Sequence, residues 1–116
     1  MLRWRPVRIR VFYELPLFVP VDIQVRAHDL IESGSFRQAV RVLRKQAQLD
    51  RSEAKVAASR LRSGEVLPDF PMPGGPDLAS RVQGLRDSGR RKEAIFAVRS
   101  ERNVGPVEAE AFVDSV

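Results

Sequence analysis

Glu32-Ser33-Gly34-Ser35-Phe36-Arg37-Gln38-Ala39-Val40 returns later in the chain as Asp87-Ser88-Gly89-Arg90-Arg91-Lys92-Glu93-Ala94-Ile95. From Gly34 to Gly89 the shift is 55 residues, and it holds without a gap to the C-terminal residue. Arg44 meets Arg99, Leu49 meets Val104, Glu53-Ala54 meets Glu108-Ala109, and Leu61 meets Val116. A fixed shift over this span is the mark of a duplicated structural unit. The expected fold is mainly α: two duplicated three-helix units over 21–62 and 77–116. A Pro/Gly-rich linker, 63–76, joins them, and an N-terminal extended or strand-like arm, 1–20, precedes them. A copy of about 40 residues is near the lower limit for folding alone, so the two are expected to pack together.

Helical spacing runs through both copies. Asp22 is the expected cap of a first helix carrying Ile23, Ala27, Leu30 and Ile31 on one face. Gly34 ends that helix, because glycine accepts the left-handed conformation that follows a helix. Phe36, Ala39, Val40, Leu43 and Ala47 form the apolar face of the next helix. Its polar face holds Arg37, Arg41, Arg44, Lys45 and Gln48. Asp50-Arg51-Ser52-Glu53 reads as a capping box, with reciprocal side-chain bonds to the first turn. It opens a third helix that buries Ala54, Ala57, Ala58 and Leu61. In the second copy Asp77 is the cap, and Leu78, Val82 and Leu85 form the first face. Gly89 ends the first helix, and Ala94, Ile95 and Val98 line the second. Gly105-Pro106 starts the third, with proline at the position where its missing N–H costs nothing. Ala109, Phe112, Val113 and Val116 complete that face.

The flanking segments read differently. Val7, Ile9, Val11 and Tyr13 alternate with Arg8, Arg10 and Phe12, which is a strand pattern. Pro16 and Pro20 confine it to an edge strand or an extended arm. Arginines before an apolar stretch have the form of a signal peptide, but Glu14 and the two prolines interrupt it. A start site called too far upstream is a further reading of the segment. No run approaches the roughly 18 apolar residues of a membrane span, and no membrane association is expected. The linker carries Pro68, Pro71, Pro73, Gly74, Gly75 and Pro76, which is loop chemistry.

The net charge of +5 is unevenly placed. Residues 1–26 carry +3 and 27–62 carry +4, whereas 63–76 carry −2 and 77–116 carry 0. The N-terminal half is therefore suited to an acidic partner. Catalytic chemistry is not expected. His28 is the only histidine and there is no cysteine, so a triad, a thiolate nucleophile and the usual transition-metal ligand sets are all missing. Gly74-Gly75 lies between prolines rather than between a strand and a helix, so it is no phosphate loop. No cofactor is expected. A cysteine-free chain is compatible with a reducing cytoplasm, where the protein is expected to reside. Nucleic acid is a second class of partner for the basic excess. A helix-turn-helix reading of 37–60 would offer it Lys55, Ser59 and Arg60. Trp4, Tyr13 and Phe36 form no aromatic-basic stripe for stacking.

Each copy also carries a known pattern: glycine, Ala-aliphatic, aliphatic-Arg, an aliphatic residue, then Glu-Ala. It appears as Gly34, Ala39-Val40, Leu43-Arg44, Leu49 and Glu53-Ala54-Lys55, and again as Gly89, Ala94-Ile95, Val98-Arg99, Val104 and Glu108-Ala109. About 30 residues of each copy thus resemble the helical hairpin in the C-terminal domain of the bacterial ribosomal stalk protein, the large-subunit seven/twelve protein. The glycine-rich turn of that family is reduced to Gly105 in the second copy and absent from the first. Its surrounding strands, hinge and dimerising domain have no counterpart. The chain resembles a small protein that carries the hairpin twice, not the stalk protein itself. Looser resemblances run to a ubiquitin-associated-like bundle and to tetratricopeptide repeats, whose period of roughly 34 residues is too short. The stalk resemblance implies a non-enzymatic protein-protein interaction module whose basic hairpin face docks an acidic protein surface such as that of a translation factor. By position, Arg41, Arg44 and Lys55 in the first copy and Arg99 in the second are the candidate partner-binding residues. Phe96 and Glu110 stand where the first copy has Arg41 and Lys55.

Overall fold

The computed structural model describes residues 17–69 and 77–116. The strand expected over 7–13, most of the N-terminal arm and the Pro/Gly-rich middle of the linker lie outside these residues. Six helices make up the described chain: α1 (Val21–Glu32), α2 (Phe36–Gln46), α3 (Arg51–Arg62), α4 (Leu78–Asp87), α5 (Arg91–Arg102) and α6 (Pro106–Ser115). Among the described residues there is no strand, and no helix is long and apolar enough to cross a membrane. The starts of α2 and α5 lie 55 residues apart, as do the starts of α3 and α6 and the ends of α1 and α4.

Helix ends follow local chemistry. Asp50 caps α3 by accepting the Glu53 amide at 2.8 Å, while Glu53 accepts the Asp50 amide at 2.9 Å. Asp77 caps α4 by accepting the Ser80 amide at 2.9 Å. Gly105 precedes α6, and Pro106 opens it. Gly34 and Gly89 have φ of +88° and +78° and close α1 and α4. Around each, one amide reaches back three residues and the next reaches back five: Gly34 to Ile31 and Ser35 to Leu30, Gly89 to Arg86 and Arg90 to Leu85. That pairing satisfies carbonyls the helix leaves open. The same device ends α3 at Gly64, φ +94°.

The start of α1 differs from the expectation. The cap position is Pro20, and Asp22 lies in the first turn without a capping bond. The chain here is held from the other side: the Val19 amide donates to the Pro68 carbonyl at 2.9 Å. The helix therefore begins from a backbone segment anchored by that bond rather than from a side-chain cap.

α1 packs on α2 and α3, and α5 packs on α4 and α6. Contact between α1 and α5 joins the two sets of three helices. Ala27, Ala39, Leu43, Ala54, Ala57, Ala58 and Leu61 are fully buried, as their spacing predicts. Val82, Ala94, Ala109 and Val113 are their buried counterparts in the second half. Three contributions exceed the sequence pattern. Phe96 and Ala97 are buried on α5. The linker does not leave the core at Ser63, because Leu67 is fully buried. Gln24, also fully buried, holds that segment in place.

Candidate functional site

Four cations and no carboxylate lie on α2. Arg37, Arg41 and Arg44 recur at intervals of four and three residues, so they share one face. Arg51 and Lys55 do the same at the start of α3. Because α2 packs beside α3, these five cations converge. They line a groove of ≈ 530 Å³ with Phe36 and Val40. The two apolar residues are half-buried and all five cations are exposed. The Arg62 guanidinium lies over the Phe36 ring, 4.5 Å from its centre, which fixes the ring from one side.

Among the described residues the groove's charge is uncompensated. Among the described residues, none of the eight basic residues of 27–62 makes an ion pair. In the second half Arg81, Arg86, Arg90, Arg91 and Lys92 all do. The carboxylates nearest in sequence to Arg51, Asp50 and Glu53, are bonded to the backbone of the cap. Like charges four apart, Arg37 with Arg41 and Arg41 with Lys45, each weaken a helix by about 0.2–0.5 kcal/mol. The sequence keeps that cost on one face while its carboxylates are used elsewhere.

Of the sequence-predicted site residues, Arg41, Arg44 and Lys55 come together here. Arg37 and Arg51 join them; the i, i+4 spacing to Arg41 and Lys55 is the signal that finds them. Arg99 does not belong to the groove. It donates to the Gly64 carbonyl at 2.8 Å, and its buried Nε has no protein partner among the described residues. Arg99 thus ties the linker to α5.

The positions on α5 equivalent to Arg37, Arg41 and Arg44 are Lys92, Phe96 and Arg99; Phe96 is buried, and Lys92 and Arg99 are half-buried with partners within the chain. Lys92 Nζ donates to Asp29 and Glu32 on α1, the latter at 3.1 Å. Phe96 is 5% exposed, and its ring meets His28 edge to face at 5.5 Å. Burial disfavours the Lys92 charge, but the two carboxylates outweigh it and raise its pKa. Burial lowers the His28 pKa, and Lys92 lowers it further; the pull of Glu32 and Asp29 is weaker. His28, Asp29 and Glu32 bring three metal-ligating atoms within 4.8 Å of one another. The Lys92 ammonium donates to both carboxylates, so the cluster reads as an ion-pair network.

No match to the chain is found among protein-family models, curated proteins or solved structures.

Proposed function

We propose that the chain is a non-enzymatic interaction module of two related three-helix units, and that the groove between α2 and α3 docks an acidic protein surface in the cytoplasm. The single observation that carries this reading is the convergence of Arg37, Arg41, Arg44, Arg51 and Lys55 without a carboxylate among the groove residues. Arginine forks favour carboxylates held in a plane, and an apolar floor adds contact area. The stalk-hairpin resemblance supports a translation factor as the partner, and it rests on the motif residues alone. Phosphate groups of a nucleic acid are the alternative ligand for the same cations. The Phe36 ring, covered by Arg62 on one face, offers such a ligand little stacking surface.

Reversal of Arg41 and Arg44 to glutamate tests the reading. Both side chains are exposed, so the helical circular dichroism should persist. Capture of an acidic protein from nuclease-treated lysate should fall to background. Capture that survives the reversal would remove the groove from the function. Capture that vanishes with nuclease, and nucleic-acid binding that weakens steeply with salt, would favour the alternative.

A further inference from the structure

We infer that the groove's occupant is an α-helix bearing an acidic cluster, seated on α2 as α1 is seated on α5. This rests on the docking reading above and names the partner's shape and spacing. The molecule contains its own example of the contact. A shift of 55 residues superposes α2 on α5 in sequence and in helix start. On α5 the face at Lys92, Phe96 and Arg99 is met by α1 at its first two positions and by the start of the linker at the third. Asp29 and Glu32 of α1, three residues apart, hold Lys92. His28, beside them, meets Phe96, and the carbonyl of Gly64 takes Arg99. On α2 the same three positions are Arg37, Arg41 and Arg44, and all are exposed.

The replacements specify the difference between the two occupants. Arg37, like Lys92, suits a pair of carboxylates one helical turn apart. Arg41 stands where Phe96 meets a ring, so the occupant needs a third carboxylate where α1 has His28. Arg44 suits a carbonyl or a carboxylate further along. The occupant's pattern is therefore two adjacent acidic residues, two others, then an acidic residue. Adjacent residues on a helix lie about 100° apart and the fourth returns to the same side, so these three carboxylates reach one groove only from a helix. An extended acidic chain sends alternate side chains to opposite sides and cannot place all three.

The probe is a hydrocarbon-stapled, fluorescein-labelled helical peptide with the α1 sequence Val21–Glu32 and His28 replaced by glutamate. Two comparators have the same net charge: a stapled helix of the same composition with its carboxylates dispersed around the axis, and an unstapled chain with proline substitutions that prevent a helix. Fluorescence anisotropy is read against the full chain at low salt. The matched helix should bind about 10-fold more tightly than either comparator, as expected for three aligned exposed ion pairs. The substitutions Arg37→Glu and Arg41→Glu should abolish that preference. Equal binding of all three peptides would overturn the inference and leave the docking reading standing, with the groove sensing charge alone. No binding of any acidic peptide, with tight binding of a single-stranded oligonucleotide, would overturn both.

Discussion

Gln24 shows how one polar side chain can hold three segments. Its amide nitrogen donates to the Val19 carbonyl at 2.8 Å and the Leu67 carbonyl at 2.7 Å, while its oxygen accepts the Leu67 amide at 2.9 Å. Ser100 on α5 donates to the same Leu67 carbonyl. The site is fully buried, so a lost partner leaves backbone groups without water. Replacement by leucine is expected to cost about 2–3 kcal/mol for the backbone groups left unpaired. The check is the urea midpoint, with an unchanged slope. A loss under about 0.5 kcal/mol, the range of an ordinary surface substitution, would mean that water replaces the amide. Apolar positions such as Ala54, Ala57, Ala58 and Leu61 were legible in the sequence because burial follows helical spacing. Gln24 was not, because Leu67, which takes two of its three bonds, lies 43 residues away and nothing local distinguishes Gln24 from a surface glutamine.

At the scale of elements, the caps at Asp50, Asp77 and Gly105-Pro106 and the stops at Gly34 and Gly89 were readable, since each is settled within one turn. The stop at Gly64 was equally local. Ser63-Gly64 repeats the serine-glycine pair of 33–34 and 88–89, but a proline-rich linker follows and obscures it. The α1 start was illegible because Pro68, far along the chain, fixes it. The turns between the second and third helices hold a further pair: Gln48 and Asn103, at φ of 58° and 54°, are 55 residues apart. Left-handed backbone costs a side-chain-bearing residue about 1–2 kcal/mol, while asparagine tolerates it better. Gln48 is exposed. Gln48→Gly should therefore stabilise the protein by about 0.5–1 kcal/mol after the added chain entropy of glycine. Asn103→Gly should do less. A thermal melt in which Gln48→Gly lowers the midpoint would show that the turn is not held in that conformation.

The whole molecule depends on the junction of α1 with α5, and its construction explains why the two halves differ in charge. The face that stays cationic on α2 is converted on α5 by Phe96 and by the pairing of Lys92, and so closes on α1. The charge asymmetry was legible; which face would close was not, because it depends on Asp29, Glu32 and His28 in the other half. His28 makes the junction sensitive to acid. It faces Phe96, Lys92 and Arg99 on α5 and Asp29 and Glu32 on its own helix. Burial first, and Lys92 next, lower its pKa in the folded state. The unfolded chain then binds a proton more readily than the folded one, so this contribution opposes folding once the pH falls below the ordinary histidine value of about 6.5. Above that value both states are neutral at His28, and stability is unaffected by it. The urea midpoint of the wild-type protein should therefore drop between about pH 7 and pH 5.5, and His28→Gln should flatten that drop. The two proteins differ only at this side chain, so the difference between their profiles isolates the imidazole. Parallel pH profiles for wild type and His28→Gln would mean that His28 is solvated and that the junction does not close over it.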